Sequence, residues 1–335
     1  MRTRWVALTA AITMAWAGSV AISPQPASAG IGAQGDRPWI AYQTGFHTTT
    51  GWGPDGIWLV HPDGSGDHQV ATGVHDGQVL PDWSPDGSRL AFSTRGGDTE
   101  PLFEYDLRTG ASTQLFSCEN RCLGDDEPAY SPNGQRVAFI RALGPLTDTG
   151  PSDCSLWIGD LASRTAQPLT TNGSCDRETM PRWSPDGSQL TYYRERYDYQ
   201  ADKVLATAVF TIDVVTAQER QLTPWSLNFG EPDWSPGGNW IVMATYPLHS
   251  YNSGVGQVPS NLYRIHPDGT GLEQITRYKP DQMRATQPRY TRDGTGIVFT
   301  AVTHNSRELW IQPLPSGKST RVTNGGIATH GTLQP

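Results

Sequence analysis

The sequence has few lysines and few charged residues of either sign. Charged side chains make up 17% of its 335 residues, and its lysines are Lys203, Lys279 and Lys318. Nucleic acids and anionic membranes are bound through dense clusters of Lys and Arg. With 25 basic against 33 acidic side chains, the chain is predicted to bind neither nucleic acid nor a membrane surface.

Long apolar runs are absent after residue 29, so no later stretch is predicted to span a bilayer. The first 29 residues differ, because Arg2 and Arg4 precede an apolar segment and Ala27-Ser28-Ala29 provides the small residues of a cleavage site. We predict a secretory signal peptide over residues 1–29, cleaved after Ala29. A retained membrane anchor is the alternative, and the prolines that follow the apolar segment disfavour it.

Residues 30–335 are then predicted to form one exported, soluble and monomeric domain. Without Arg2 and Arg4, this mature chain has 23 basic and 33 acidic side chains, a net charge of −10. It is secreted into an oxidising environment if the signal peptide is functional.

Cysteines are also few, and all four lie in the exported part: Cys118, Cys122, Cys154 and Cys175. An even number of cysteines in an oxidising compartment favours disulfides. Metal binding by these residues is the alternative, which the lack of a Cys-x-x-Cys pair and of neighbouring histidines disfavours. Although four cysteines allow three pairings, we predict the pairs 118–122 and 154–175, which brace loops.

Common catalytic motifs are missing. The sequence has no Gly-x-Ser-x-Gly nucleophile elbow, no His-Glu-x-x-His metal motif and no Gly-x-x-x-x-Gly-Lys phosphate loop. No catalytic residue is therefore assigned from a motif.

What the sequence does contain is a repeat. A heptapeptide close to Pro-x-Trp-Ser-Pro-Asp-Gly, followed by a short apolar run, occurs at residues 81–87, 128–134, 181–187, 232–238 and 288–294. The first prolines are 47, 53, 51 and 56 residues apart, a period typical of stacked supersecondary units. We call this heptapeptide the box.

Each box begins a unit of four short apolar segments separated by turns, in a chain with 36 Gly and 26 Pro. We label the four strands of a unit A to D, with the box in strand A. A four-stranded unit of about 50 residues is the size of a β-propeller blade. The sequence predicts an all-β fold, a propeller of six four-stranded antiparallel blades.

The two ends of the chain predict how the ring closes. Segments like strands B, C and D begin at residue 40, but no box precedes them. Residues 330–335 resemble residues 76–81, and Pro335 lies 47 residues after Pro288. We predict that the C-terminal segment completes the first blade, because an open array would leave unpaired strand edges.

The box itself is predicted to be structural. Its Trp or Tyr ring recurs once per blade, as expected for large rings packed between neighbouring sheets, and Pro-Asp-Gly suits a tight turn. The box with its apolar strand resembles the TolB-type propeller repeat over nearly the whole mature chain. That resemblance implies a six-bladed propeller, and in that family TolB itself binds protein partners at the mouth of its central channel.

The same repeat type forms the propeller of prolyl-oligopeptidase-like peptidases. Pectate-degrading lyases with related propellers hold a metal through histidines and a glutamine, but their Gln-x-x-His-x-His run is absent from this sequence. The resemblance therefore implies a fold and leaves the activity open.

Binding is expected on one face of the ring. The A–B and C–D turns are short, whereas the B–C and D–A loops on the other face carry insertions at residues 141–154, 195–205 and 247–260. Long variable loops on a rigid scaffold are where binding sites are usually built.

The residues before each box proline are predicted to ring the channel mouth on this loop-rich face. The candidate ligand-binding residues are Asp125, Glu127, Arg177, Glu178, Glu231, Arg284, Gln287 and His330. One interpretation is a rim satisfied by water and neighbouring amides. The other is a pocket for a cationic or polar ligand, or for a segment of a partner protein.

Histidines offer a further hypothesis. Five lie in loops of the same face: His47, His75, His249, His304 and His330. If neighbouring loops bring two or three together, they can serve as metal ligands or as acid and base. We predict no cofactor, with a metal at these loops as the alternative.

The sequence thus predicts a secreted TolB-like propeller that binds a protein or a small polar ligand through its loop-rich face and channel mouth. The alternative is an enzyme of the same fold, a lyase, hydrolase or cyclase that uses the carboxylates and histidines of the mouth. A purely structural envelope component is a third class, which a globular ring with little mechanical reach disfavours.

Overall fold

The computed structural model describes residues 37–335 except 46, 49–50, 53–55, 75–76, 97–98, 120, 148–149, 172–175, 199–200, 202, 247–259 and 280. Regular structure in these ranges consists of β-strands and one 3-10 turn, Trp225–Leu227. The prediction of an all-β fold is confirmed. Within the same ranges, no helix has the length and apolar character needed to cross a membrane.

The strands follow the predicted repeat. The first strands of the described part are β1 (Ile40–Thr44), β2 (His47–Thr48), β3 (Gly51–Trp52), β4 (Gly56–Val60) and β5 (His68–Gln69). Blade 2 contains β6 (Gly77–Trp83), β7 (Arg89–Arg95), β8 (Leu102–Asp106) and β9 (Ala111–Gln114). Blade 3 contains β10 (Cys122–Tyr130), β11 (Arg136–Thr147), β12 (Gly150–Asp160) and β13 (Thr165–Pro168).

The second half repeats the pattern. Blade 4 contains β14 (Asp176–Trp183), β15 (Gln189–Asp198), β16 (Lys203–Asp213) and β17 (Glu219–Gln221). Blade 5 contains β18 (Phe229–Trp234), β19 (Ile241–Thr245), β20 (Leu262–Ile265) and β21 (Glu273–Gln274). Blade 6 contains β22 (Arg284–Tyr290), β23 (Gly296–Val302), β24 (Arg307–Pro313) and β25 (Thr320–Arg321), and β26 (Thr329–Leu333) ends the chain.

Six four-stranded antiparallel sheets result, and five of them contain strands in sequence order. Blade 1 has the order β26-β1-β4-β5, while β2 and β3 form a separate hairpin. The first strand of each sheet contacts the first strand of the next, in a closed cycle from β6 through β10, β14, β18, β22 and β26 back to β6. These six strands are therefore the inner strands, and the six-bladed prediction is confirmed.

The hydrophobic core lies between blades. In one cluster Trp183 of blade 4 packs with Ala138 and Leu156 of blade 3, and in another Trp83 of blade 2 packs with Leu59 of blade 1. The predicted placement of the box rings between sheets is thus observed. Fully burying one large apolar side chain contributes about 1.5–3 kcal/mol, so a box ring stabilises each interface between blades that contains one.

The rest of the box forms the A–B turn. Ser84 Oγ donates to Asp86 Oδ1 over 2.6 Å, and the Gly87 N–H donates to the Ser84 carbonyl over 2.8 Å. Gly87 has φ 67°, a left-handed conformation that glycine adopts without steric cost. The box therefore has the structural role that the sequence predicted.

Strand β26 pairs with β1, but its register differs from the predicted one. Leu333 lies opposite Ile40, as Trp83 lies opposite Leu90 in blade 2. By this register Pro335 corresponds to the second proline of the box, Pro85, and the position of the first proline is taken by Gly331. The prediction that Pro335 matches the first proline was wrong, because β26 has neither that proline nor the Trp by which the box is recognised.

The Trp83 indole supports the corrected register. Its Nε1 donates to the Thr332 carbonyl over 3.0 Å, and Trp183 Nε1 makes the same bond to the Ala129 carbonyl of blade 3. Thr332 is therefore the blade 1 counterpart of Ala129. The C-terminal strand provides blade 2 with the acceptor that a box strand provides elsewhere.

Two predicted loops are strands. Residues 141–154 lie mostly in β11 and β12, which pair as far as Thr147 and Gly150, and residues 195–205 lie mostly in β15 and β16, which pair as far as Asp198 and Lys203. The B–C insertions of blades 3 and 4 are thus extended hairpins, because added residues continue the backbone ladder. In the third predicted loop, residues 247–259 lie outside the described residues.

The predicted disulfide between Cys118 and Cys122 is present, with Cα atoms 5.2 Å apart. Cys154 has no disulfide partner among the described residues, and its predicted partner Cys175 lies outside them. The 154–175 pairing and the signal peptide over residues 1–29, also outside the described residues, stay predictions.

Candidate functional site

Each inner strand contains one non-glycine residue in the left-handed conformation. These residues, which we call the inner ring, have φ between 52° and 57°: Leu80, Glu127, Met180, Glu231, Gln287 and His330. Each coincides with a shift in the pairing register between the inner strand and its neighbour. A bulge of this kind re-aims a side chain, so the inner ring is the repeated feature that places side chains at the axis.

The left-handed backbone is stabilised across blades. The N–H of Leu80 donates to Gln43 Oε1 of blade 1 over 2.6 Å, and that of Glu127 donates to Ser93 Oγ of blade 2 over 3.0 Å. A non-glycine residue in this region costs about 1–2 kcal/mol. Hydrogen bonds from the preceding blade offset that cost and fix the ring.

Glu127 accepts two hydrogen bonds from blade 4. Thr179 Oγ1 donates to its Oε1 over 2.6 Å, and the Met180 N–H donates to its Oε2. Burial, followed by the charge of Asp126, raises the pKa of Glu127 to about 7. Near neutral pH this carboxyl group can therefore donate as well as accept a proton.

Glu231 begins a chain of contacts through blades 5, 6 and 1. Its Oε2 accepts the Gln287 N–H over 2.6 Å, and Gln287 Nε2 lies 2.7 Å from His330 Nε2. Because Gln287 Oε1 already accepts from Thr300 Oγ1 over 2.8 Å, the amide NH2 is directed at the imidazole. His330 Nε2 is then an acceptor, and Nδ1 carries the proton towards Thr329 Oγ1 at 3.2 Å.

The two ends of this chain have opposite electrostatics. Burial raises the pKa of Glu231 to about 7, and the charges of Glu195 and Glu127 act in the same direction. Burial, together with the positive charge of Arg182 and two further arginines, lowers the pKa of His330 to about 3. At neutral pH His330 is an uncharged imidazole, which Gln287 links to a carboxyl group that titrates.

A second tier lies two positions further along each inner strand. Asp82 Oδ2 accepts the Tyr130 N–H over 2.9 Å, and Asp233 Oδ2 accepts the Tyr290 N–H over 2.9 Å. Burial raises the pKa of Asp82 to about 6 and that of Asp233 to about 7, while the nearby charge of Arg182 acts against both increases. The buried Arg182 guanidinium is thus the cation that acts on both aspartates of this tier.

Asp125 and Glu178, predicted at the channel mouth, lie in buried ion pairs instead. Arg141 Nε and Nη2 donate to Asp125 over 2.6 and 2.7 Å, and Arg194 Nη2 donates to Glu178 over 2.7 Å. Glu178 also accepts the Leu156 N–H of blade 3 over 2.9 Å. These carboxylates join neighbouring strands and blades, and the structure does not bring them to the inner ring.

Of the other candidates, Arg284 lies near Glu231. Burial lowers the pKa of Arg284, and the negative charge of Glu231 partly opposes this decrease. Arg177 is largely exposed, 4.0 Å from Glu195 Oε2, and its Cζ lies 5.2 Å from the Tyr197 ring centroid. Glu127, Glu231, Gln287, Arg284 and His330 are therefore the predicted residues that the inner strands bring together.

Sequence reasoning missed several members of the site. Leu80 and Met180 belong to the inner ring, and Glu195 lies beside Arg177 and Glu231. Asp82, Arg182 and Asp233 belong to the second tier. The second tier was detectable, because its residues occupy the variable position of the box. Five of the six left-handed residues directly precede a box proline, but five residue types occupy the six positions, so residue type does not indicate the left-handed conformation.

The structure describes the side chains of two of the five histidines predicted on the loop-rich face. His330 is in the inner ring and His304 is exposed, while the side chains of His47, His75 and His249 lie outside the described residues. One group in the described ranges has metal-ligand spacing, Cys118, Cys122 and Asp125, but its two sulfurs are joined in a disulfide. That group does not fit a metal in the oxidised protein.

Comparison with known proteins supports the assignment of the fold. Residues 59–243 match the family model described as TolB beta propeller domain. An uncharacterized protein of Agrobacterium fabrum is 26% identical over 200 residues, 58% of this chain and 57% of its own length. An uncharacterized peptidase of Bacillus subtilis, YuxL, is 25% identical over 206 residues, 61% of this chain and 27% of its own length. The chain thus spans between about a quarter and just over half of these relatives.

Among solved structures, TolB from Acinetobacter baumannii superimposes with a TM-score of 0.66 at 16% identity. The match covers 89% of this chain and 67% of that one. At this identity the likeness concerns the fold.

Proposed function

Because this chain belongs to the TolB β-propeller domain family, we propose that it is an exported binding module that holds a protein segment or a small polar ligand on its loop-rich face. The observation that carries this proposal is the pair of extended hairpins on blades 3 and 4. Strands β11, β12, β15 and β16 have 10 to 12 residues, whereas β7 and β8 of blade 2 have seven and five.

The blade 4 hairpin supports binding through its side chains as well as its length. Leu205 is 50% exposed, and Leu227 of the adjoining 3-10 turn is 43% exposed. The Arg196 guanidinium stacks 4.0 Å above the Trp225 ring centroid. Arginine and tryptophan are among the residue types that dominate binding energy in protein interfaces, and here the pair lies beside two exposed leucines.

The inner ring supplies the polar part of the proposed site. Glu127, Glu231 and Gln287 offer oxygens to a polar or cationic group, and Arg177 and Arg284 offer donors to an acidic one. Asp125 and Glu178 contribute indirectly, because their ion pairs fix β11 and β15 where the hairpins begin. The Cys118–Cys122 disulfide supports an oxidising location, in the periplasm or outside the cell.

Photo-crosslinking tests the proposal, with position 215 as a matched control. A photo-crosslinking amino acid placed at 196, 205 or 227 probes the loop-rich face, and Val215, 89% exposed, lies beyond the opposite end of β16. At about 3.3 Å per strand residue, positions 205 and 215 are roughly 33 Å apart. We expect discrete adducts with periplasmic or secreted proteins at 205 and none at 215. The absence of adducts at all three positions of the loop-rich face would contradict a protein partner there.

An enzyme is the second candidate, favoured by the carboxyl groups of Glu127 and Glu231, whose pKa values of about 7 suit general acid–base chemistry. Turnover of polygalacturonate or of dipeptide naphthylamides by the mature protein tests it. For an enzyme we expect Glu127→Gln or Glu231→Gln to lower turnover by about 10²–10⁴-fold, whereas Glu119→Gln, at an exposed loop carboxylate, leaves it unchanged. Equal turnover in all three variants would exclude the inner ring as the catalytic centre.

A further inference from the structure

A groove lies at the outer rim of the propeller, between blades 5 and 6. Its volume is about 490 Å³, and it runs between the outermost strand of blade 5 and the C–D turn of blade 6, with Gln274, Tyr278, Trp310 and Lys318 among its lining residues. A second cavity of about 420 Å³ shares Gln274, Arg277 and Tyr278 with it. Cavities of this size accommodate ligands, and this one is separate from the inner ring.

The groove is basic in an acidic protein. Arg277 and Lys318 line the groove, and Lys279 lines the second cavity that shares residues with it, so two of the three lysines of the sequence lie here. All three residues are exposed. Among its described lining residues the one acid is Glu273, which is paired with Arg264 over 2.7 Å. The formal charge of the chain is −8, so this local excess of positive charge opposes the overall balance.

One wall of the groove is the edge of a sheet. Strand β21 is the outermost strand of blade 5, and six consecutive residues from this edge, 273–278, line the groove. The Ile275 N–H donates inward to the Leu262 carbonyl over 2.8 Å. In an antiparallel ladder the neighbouring residue points the other way, so the backbone groups of Gln274 face the groove.

The floor of the groove is ordered and partly apolar. Tyr278 Oη lies 2.6 Å from Ser319 Oγ, which joins the two blades beneath the opening, and Trp310 is half-buried beside them. An aromatic floor, a sheet edge and surrounding cations together match one kind of ligand. An extended peptide can pair its backbone with the edge, lay alternate side chains on the floor and direct its carboxylates to Arg277, Lys279 and Lys318.

The geometry points to the blade 5–blade 6 groove as a binding site for an acidic peptide segment in an extended conformation, which adds to the edge of β21. An acidic polysaccharide would satisfy the cations but could not continue a backbone ladder, so the sheet edge favours a peptide. This site lies between blades 5 and 6, apart from the hairpins of blades 3 and 4, and goes beyond the binding function proposed for them. Cross-linking at position 205 and peptide binding at the rim can therefore fail separately.

Fluorescence anisotropy with a labelled octapeptide of alternating glutamate and threonine tests the site in the mature protein. The triple variant Arg277→Gln, Lys279→Gln, Lys318→Gln is expected to weaken binding about tenfold, because three exposed charge pairs are lost. The matched control is Arg108→Gln, Arg164→Gln, Arg292→Gln, which removes the same charge from exposed positions of blades 2, 3 and 6. It is expected to change affinity less than twofold.

Two further probes separate the peptide from other anions. The same octapeptide with alternate backbone nitrogens methylated keeps its charge but cannot pair with the strand edge, and we expect it to bind about tenfold more weakly. Polygalacturonate is expected to compete poorly. Equal loss of affinity in both triple variants would overturn the site. Equal binding of the methylated peptide and of polygalacturonate would overturn the assignment of a peptide.

Discussion

The box and the inner ring lie a few residues apart on the same strands, yet they differ in what the blades share. At the box, five blades repeat nearly the same residues, and the turn glycines have φ between 66° and 73°. At the inner ring, all six blades repeat the backbone conformation, but the side chains are of five types, and glutamate, in blades 3 and 5, is the one that recurs. The blades therefore share side chains at the A–B turn, whereas at the inner ring they share a backbone conformation.

Electrostatics separates the two regions in the same way. Hydrogen bonds from Ser84 and Ser88 lower the pKa of Asp86 in the exposed box turn, and Asp186 behaves identically two blades on. Burial raises the pKa of Glu127 and Glu231 in the inner ring. The carboxylates of the box accept their hydrogen bonds within one turn, whereas those of the inner ring accept them from the neighbouring blade. A substitution at the inner ring is therefore expected to change the chemistry of the site without changing the fold.

Deleting residues 329–335 is expected to have the largest effect on stability. The deletion removes β26, the inner strand of blade 1, and with it the acceptor of Trp83 Nε1. We expect a loss of at least about 5 kcal/mol, a large fraction of the stability of a typical domain. Thermal and urea denaturation followed by circular dichroism measure it.

Deleting only residues 334 and 335 is the control, because it leaves β26 intact. It removes the bonds of Gln334 to the Gly87 and Trp39 carbonyls and should cost about 1–2 kcal/mol. Similar melting temperatures for both truncated chains would contradict the role of β26 as the strand that completes the ring.

Trp183→Ala tests the box side of the comparison. The change removes a buried ring from the interface of blades 3 and 4 and leaves the Ala129 carbonyl without its donor. Truncating a buried Trp costs about 3–5 kcal/mol. Trp225→Ala, at a half-buried position on the same interface, should cost clearly less, and a reversed order in urea denaturation would show that the box ring is not the principal contact.

Glu231→Gln tests the inner ring through pH. Because the folded state raises the Glu231 pKa from its ordinary 4.5 to about 7, the folded protein holds this proton more tightly than the unfolded chain. Its contribution to stability is full below about pH 4.5 and is lost as pH rises to about 7. Gln keeps the acceptor for the Gln287 N–H, so at pH 8 the variant should be more stable than the parent by roughly 1–3 kcal/mol.

The same variant should differ little from the parent at pH 5, which urea titrations at both values measure. Glu119→Gln, at an exposed position, is the control and should show no such dependence on pH. A Glu231→Gln protein with the same stability difference from the parent at pH 5 and pH 8 would mean that Glu231 titrates alike in the folded and unfolded states.

The sequence predicted the part of the fold that rests on repeated side chains. The box located five blades, their turns and their buried rings, because Pro, Trp and Gly are needed there for steric reasons. It failed at β26, where Gly331 and Leu333 replace the first proline and the ring, so periodicity alone placed Pro335 four residues out of register. Pairing between strands, which sequence spacing does not report, fixes that register.

The candidate site was predicted less well, for a related reason. Asp125 and Glu127 are two residues apart and would point to the same side of a regular strand. The left-handed conformation at Glu127 re-aims its side chain, whereas Asp125 stays in a buried pair with Arg141. The residues at the six bulges are of five types, and their spacing does not report the backbone conformation, so only the three-dimensional structure separates the two carboxylates.

Asp86→Asn should have the smallest effect on stability, and it tests whether the box requires a negative charge at this position. Asn133 occupies the equivalent position in blade 3, where its Oδ1 accepts from Ser131 Oγ over 2.8 Å and from the Gln135 N–H over 3.1 Å. Asp86 accepts the same two bonds from Ser84 and Ser88, so Asn should preserve the turn at a cost within about 0.5 kcal/mol. Asp86→Ala removes both bonds and should cost about 1 kcal/mol more. If Asn proved as harmful as Ala in urea denaturation, the carboxylate charge rather than the turn geometry would be what the box requires.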